Sequence, residues 1–204
     1  RNENVLNAKD NVRIKDTVKD HLITGDDFTY FKESEKIISK GVTQAFIKSK
    51  YKISSRDVEY SINENTLLSK NKTKLEDQKT NVYFTENFIY QLNQEILKGE
   101  KILIISNYNL PTSDKFYFDS AMINLKEQKF VGKNTEINLH KSIFDKTEND
   151  PRLKGVSSTS NGNITLINKG VFTSCKKNDD CPPWSLSASK IEHDKTKKQL
   201  LYDD

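Results

Sequence analysis

Apolar and polar positions alternate along this chain in short ladders that return at a fixed interval. Asp27-Phe28-Thr29-Tyr30 is followed by Asp57-Val58-Glu59-Tyr60 and by Asn87-Phe88-Ile89-Tyr90, so the three tyrosines stand 30 residues apart. Period-2 spacing places Phe28 with Tyr30, Val58 with Tyr60 and Ile62, and Phe88 with Tyr90 and Leu92 on one face of a strand. A fourth copy, Ala121, Ile123 and Leu125, begins 33 residues after the third. Each ladder passes through a polar turn to a second apolar step, marked by Ile37, Leu67, Leu97 and Phe130, and Gly41, Asn71, Gly99 and Gly132 read as the ends of these steps. A period of this size predicts stacked supersecondary units, each too small to bury its own apolar face and each covered by its neighbours.

Further strands are expected at Val42–Ile47, Tyr51–Ser55, Val82–Thr85 and Lys101–Ser106, and around Ile137 and Leu139. Asn63-Glu64-Asn65 and Asn93-Gln94-Glu95 supply the polar tips of antiparallel hairpins. Residues 1–20 alternate only weakly, through Val12, Ile14 and Val18, and read as a polar extension or a first edge strand. Residues 144–163, which contain Pro151, Gly155 and Gly162, read as a long excursion between strands. Strands resume at Ile164–Ile167, Val171–Thr173 and Ser185–Ile191. Helical periodicity is nowhere sustained for ten residues. Without a Pro/Gly/Ser-rich linker, residues 21–204 read as one elongated all-β domain.

Composition sharpens this picture. Hydrophobic residues make up 34% of the chain and charged residues 30%, low in apolar content for a compact globule, yet ten Phe and eight Tyr argue against disorder. A thin, half-buried β architecture fits both observations. No run approaches the roughly 20 apolar residues of a membrane helix. The start at Arg1 lacks the regions of a signal peptide, and a processed or trimmed chain is expected. The net charge is +4, but 33 basic and 29 acidic residues are interspersed as on a solvated mixed surface, so nucleic acid is not expected as a partner.

The candidate chemistry lies near the C-terminal end. Cys175 and Cys181 flank Lys176-Lys177-Asn178-Asp179-Asp180 and lead into Pro182-Pro183-Trp184. A local disulfide would pin this turn in an oxidising compartment, and either cysteine could instead bond elsewhere. A zinc site would need both cysteines with His193 and a fourth ligand such as His140, and the spacing matches no standard signature. A Cys–His nucleophile pair using His193 and Asp194 lacks a nearby glycine-rich turn or helix start for an oxyanion. His193 reads more simply as a polar residue at a strand end, and Trp184 as a packing residue on the face of Leu186 and Ala188.

The run Gly170-Val171-Phe172-Thr173-Ser174-Cys175, followed by Trp184-Ser185-Leu186-Ser187-Ala188-Ser189-Lys190-Ile191-Glu192-His193-Asp194, resembles the end of the periplasmic domain of the lipopolysaccharide-assembly outer-membrane proteins, the LptD/OstA family. Leu139 to Phe144 and Glu148-Asn149-Asp150-Pro151-Arg152-Leu153-Lys154-Gly155 resemble the alphaproteobacterial form of that family, and the ladders resemble its OstA repeat. The resemblance runs from about Leu22 to Asp204.

It implies an open, twisted antiparallel β-jellyroll whose apolar interior holds the acyl chains of lipopolysaccharide, without cofactor, metal or bond chemistry. Phe28, Tyr30, Val58, Tyr60, Phe88, Tyr90, Leu92 and Ile123 are then the candidate groove lining. Tyr30, Tyr60 and Tyr90 are expected at the groove mouth, where their hydroxyls find polar partners. The implied partners are lipopolysaccharide, a periplasmic bridge protein of the same repeat family added to an edge strand within residues 10–25, and an outer-membrane β-barrel with its plug lipoprotein. The implied location is the periplasmic face of a Gram-negative outer membrane. The pattern stops at Tyr202-Asp203-Asp204, so a domain of a longer, barrel-bearing protein is expected. In the family the cysteine after the Thr-Ser pair bonds a barrel cysteine; position 175 matches it, and Cys181 departs from the pattern. From a different class, a secreted β-repeat scaffold or adhesin with a dry core would use the same ladders, and a free-standing bridge protein is the nearer alternative.

Overall fold

The computed structural model describes residues 4–144, 148–177 and 184–203. Sixteen strands follow in chain order. They are β1 (Val5–Asp16), β2 (His21–Phe31), β3 (Lys36–Ile47), β4 (Tyr51–Arg56), β5 (Glu59–Ser61), β6 (Thr66–Ser69), β7 (Thr73–Asp77) and β8 (Val82–Thr85), then β9 (Asn87–Gln91), β10 (Ile96–Ile105), β11 (Lys115–Asn124), β12 (Lys129–Asn138), β13 (Arg152–Ser160), β14 (Ile164–Thr173), β15 (Leu186–Asp194) and β16 (Gln199–Asp203). One 3₁₀ turn covers Lys141–Phe144, and there is no α-helix among the described residues. The chain divides into two units, Arg1–Gly99 and Glu100–Asp204, and β10 carries it from one into the other.

In the first unit the ladders become a single transverse row. Tyr30 stands opposite Ile37, Ile37 opposite Tyr60, Tyr60 opposite Leu67, and Leu67 opposite Tyr90. The hairpins are joined by four-residue turns whose fourth residue is left-handed: Glu35, Asn65 and Glu95 have φ of 47°, 53° and 55°. These turns also stack. The carbonyl of Glu35 accepts the Ile62 N–H, and that of Asn65 accepts the Leu92 N–H, each at 3.0 Å.

A second row, Ile23, Ala45, Ile53, Leu75 and Tyr83, crosses β2, β3, β4, β7 and β8. The long strands β2 and β3 belong to both rows because they bend midway. The β2–β3 register breaks between Gly25 and Asp27, and Gly41 takes φ +85°, with its N–H donated to Asp57 Oδ1 at 2.7 Å. Gaps in strand structure at Asp57, at 70–72 and at Glu86 fall along the same line. The bend turns the two rows toward each other, so that Tyr51 on β4 meets the Tyr90 ring edge-on at 6.2 Å. At the turn end of this interior, Glu95 accepts a hydrogen bond from Tyr51 Oη at 2.8 Å and pairs with Lys48 at 3.0 Å.

The second unit is a meander, β11 through β16 pairing in sequence and antiparallel throughout. Its inner face carries the row Ile123, Phe130, Ser160, Thr165, His193 and Leu200. Beside it runs the row Phe116, Ile137, Leu153, Phe172 and Leu186. Pairing is interrupted on one line through Asp119, Asn134, Val156 and Lys169, and Asn134 and Lys169 are left-handed. Four strand spacings separate β11 from β15, about 19 Å in a flat sheet. Lys195, just past β15, nevertheless lies 5.2 Å over the Phe116 ring of β11, so the sheet curls over its own inner face. The architecture is all-β and antiparallel, of a kind compatible with a jellyroll, as the alternation predicts.

Four expectations are corrected. The second ladder step and the strand expected after it are one strand: β3 runs through Gly41 and β10 through Gly99, while Gly132 lies inside β12. These glycines mark a bend or a close approach, and a Cβ on Gly132 would stand 2.2 Å from the Phe118 ring. The excursion expected over 144–163 contains the nine-residue strand β13. His193 lies at the end of β15, one residue before its last, as expected, but is fully buried rather than a surface polar residue, and the expected Trp-led strand begins at Leu186, leaving Trp184 48% exposed. Residues 191–200 form a fifth copy of the hairpin, with Ile191 and His193 before the turn, Lys198 left-handed at φ 52°, and Leu200 opposite His193.

Leu67 fills the middle of the first row, whereas Leu68 faces outward on the same strand. Leu67→Ala is expected to cost about 2–5 kcal/mol and Leu68→Ala much less, measured by chemical denaturation. The exposed Lys198→Gly should gain about 0.5–1 kcal/mol by relieving its left-handed backbone.

Candidate functional site

The candidate lining residues are brought together only in part. Phe28, Val58, Tyr60, Phe88, Tyr90 and Leu92 are all buried in the first unit, Tyr30 is half-buried at the start of the same row, and Ile123 is buried in the second unit. Phe28, Val58 and Phe88 form an inner line beside the tyrosine row. Phe28 stands opposite Ser39, Ser39 donates its N–H to the Val58 carbonyl at 2.8 Å, and Ser69 stands opposite Phe88.

The Tyr60 and Tyr90 hydroxyls are not at an opening, whereas Tyr30 is half-buried. Tyr90 is 0% exposed and Tyr60 4%, and both hydroxyls lack a hydrogen-bond partner. Burial pushes both phenols upward, and the nearby Tyr51 and Glu95 add to the effect at Tyr90. His21, at the far end of the second row's face, is equally buried with neither ring nitrogen paired. A buried hydroxyl without a partner costs about 1–3 kcal/mol, so these groups are a standing expense in an otherwise apolar interior. Two open hollows, of about 580 and 380 Å³, lie elsewhere: one against Val12, Leu22, Val42 and Phe46, the other against Thr135, Lys154, Val156 and Val171. Neither is lined by a ladder residue.

In the cysteine segment, the two stretches that carried the resemblance are adjacent. Arg152 stands opposite Thr173, and its Nη1 donates to the Cys175 carbonyl at 2.5 Å and to the Asp150 carbonyl at 3.1 Å. Asp150 Oδ2 accepts the Lys177 N–H at 3.0 Å, and its other oxygen pairs with Lys141 at 3.1 Å. Thr173 Oγ1 donates to the Trp184 carbonyl at 2.8 Å, and the Cys175 thiol lies 3.6 Å from the same oxygen. Phe144, Phe172 and Trp184 form a chain of edge-on rings at 6.1 and 5.8 Å. Cys175 is thus a buried anchor between β14 and β15. Cys181 lies outside the described residues.

Cys175 and His193 do not form a hydrogen-bonded pair, because neither His193 nitrogen has a partner. His140 donates its backbone N–H to Asp114 Oδ1 at 2.8 Å, and its ring Nδ1 meets the same oxygen at 2.8 Å. Among the described residues, no group of three or more His, Cys, Asp or Glu is arranged to hold a metal ion. No helix of the described chain is long and apolar enough to cross a membrane. No protein-family model and no curated protein matches the chain.

Sequence reasoning missed His193 as an inner-row residue. The signal was available: Ile191, His193 and Leu200 keep the spacing of Phe28, Tyr30 and Ile37. Burial lowers the His193 pKa from 6.5 to about 4, helped by the nearby Lys195 charge and opposed by Asp114 and Asp194. The unfolded chain therefore takes up a proton near pH 6.5 that the folded chain refuses until about pH 4. Stability is full above the upper value and falls as pH drops through that window, by up to about 3 kcal/mol. In urea titrations His193→Phe is expected to flatten the loss between pH 6.5 and 5, a range above the carboxylate titrations.

Proposed function

We propose that this chain is a non-enzymatic lipid-conduit domain that takes the acyl chains of lipopolysaccharide into its β interior and passes them toward an outer-membrane barrel. The observation that carries the reading is the composition of the interior in the first unit. A continuous apolar row, Tyr30, Ile37, Tyr60, Leu67 and Tyr90, holds two phenol hydroxyls, those of Tyr60 and Tyr90, that have no hydrogen-bond partner among the described residues. Phenylalanine in place of Tyr60 and Tyr90 would keep the packing and remove the penalty. An amphiphile, whose chain is apolar and whose ester and hydroxyl oxygens accept hydrogen bonds, suits such a surface, and each methylene it buries contributes about 0.8 kcal/mol. The bend at Gly25–Asp27, Gly41 and Asp57 is the hinge about which the two facing rows would part. The segment from Asp150 to Cys175 and Trp184, with its resemblance to the LptD/OstA family, supports the choice of lipopolysaccharide and of a partner barrel, and β1 offers an edge for strand addition by a bridge protein.

The closed packing of the ladder favours a second reading, a β-repeat scaffold with a dry core. A photocrosslinking amino acid placed singly at positions 82–92, in cells making lipopolysaccharide, separates the two. The conduit gives lipid adducts at Phe88, Tyr90 and Leu92 and none at Ile89, which faces outward at 46% exposure. A scan without any lipid adduct overturns the conduit, and the scaffold reading replaces it.

A further inference from the structure

The second unit carries two hydrogen-bond donors, one buried and one half-buried, that have no acceptor among the described residues. Lys195 follows β15 and reaches back over the sheet, half-buried, its Nζ 5.2 Å above the Phe116 ring and in ion-pair contact with no carboxylate of the described residues. His193, two residues earlier on the inner face, is 0% exposed with both ring nitrogens unpaired. In either tautomer an imidazole offers one N–H, and an ammonium offers three. The carboxylates nearby are committed elsewhere. Asp114 is held by the His140 backbone and ring, and Asp194 accepts the N–H groups of Thr196 and Lys197 and meets the Lys197 ammonium at 3.7 Å. Burial lowers the Lys195 pKa, and the more distant Asp114 only partly restores it. Below the ammonium lies an aromatic floor, with Phe116 and Phe118 packed on Phe130 at 5.8 and 5.1 Å.

We infer that Lys195 and His193 form a binding site for the anionic headgroup of an acyl amphiphile. The ammonium of Lys195 meets a headgroup oxygen at the rim, the His193 N–H donates from beneath, and the tail lies along Phe116, Phe118 and Phe130. An acceptor is the chemistry the site lacks, and a phosphate or carboxylate oxygen provides it with the charge-assisted bonds that partly buried donors favour. This inference rests on the lipid-binding reading above and adds to it a headgroup and a place.

The test is calorimetric titration of the full chain with dodecyl phosphate, dodecanoate, dodecanol and inorganic phosphate, each below its micellar concentration. Dodecyl phosphate is expected to bind about tenfold or more tighter than dodecanol, the factor that one hydrogen bond to a charged group supplies. Lys195→Met abolishes that preference and melts no lower than wild type, whereas Lys195→Arg keeps it. In the unsubstituted chain the ¹⁵N resonances of the His193 ring shift on adding dodecyl phosphate. Equal binding of phosphate ester and alcohol, or a preference that survives Lys195→Met, overturns the site; lipid adducts at Phe88 and Tyr90 would then leave the conduit standing without it. Inorganic phosphate binding as tightly as dodecyl phosphate also overturns it, in favour of a free-anion site. Failure of every amphiphile to bind, together with an adduct-free scan at 82–92, removes both proposals.

Discussion

The structure depends on one backbone constraint, the four-residue turn that ends in a left-handed residue. It occurs at Glu35, Asn65, Glu95, Gln128 and Lys198, and at each the residue seven positions earlier and the residue two positions later point to the inner face. Because side chains alternate along a strand, a slip of one residue in any hairpin would send its whole apolar set to solvent. Identical turns remove that freedom. The stacked hydrogen bonds from Ile62 to Glu35 and from Leu92 to Asn65 then pass the register from hairpin to hairpin in the first unit. The cost of four left-handed residues that are neither Gly nor Asn is accepted in exchange for a register that local sequence alone does not specify.

The second requirement is the bend. A row of alternating apolar residues buries one face of a sheet only if something covers it, and in each unit the cover is the same sheet turned back on itself. Gly41 accepts its φ of +85° without strain and is locked by the Asp57 carboxylate. In the second unit Asp119 takes hydrogen bonds from Lys101 and Asn134, both at 2.6 Å, on the line where pairing is interrupted. The bend thus places polar side chains where backbone groups leave the ladder, and apolar ones on either side of it.

Much of this was legible in the residues. The ladder copies, the polar turns and the all-β class follow from period-2 alternation and a strict offset, because both are local properties. What escaped has a common cause. Strand β13 turns Ser158 and Ser160 inward, where they bond Thr135 and Thr165, so it shows no apolar alternation at all. His193 occupies a core position with a polar residue and was hidden for the same reason. The strands through Gly41, Gly99 and Gly132 were cut short because a glycine in a strand and a glycine at its end look alike until a neighbour such as Phe118 is placed against it. The meeting of Lys195 with Phe116, 79 positions apart, has no local signature.

The unpaired polar groups set the terms on which the interior can be interpreted. A core selected only for stability would place Phe at positions 60 and 90 and an aliphatic residue at 193, since each change keeps volume and removes an unsatisfied donor. Tyr60 and Tyr90, in two successive copies, and His193, in the fifth, instead occupy the inward row position five residues before the turn's left-handed residue, which the fourth copy fills with Ile123. Repetition of a costly choice at equivalent positions argues that the row carries a property beyond packing. In the proposed conduit, opening to an amphiphile would give the hydroxyls of the first unit, and separately the imidazole of the second, a partner in the loaded state, so that their isolation would cost stability only in the empty one. The stability withheld from the closed form would then lower the work of parting the rows, tying the strain of the interior to the ease of loading it.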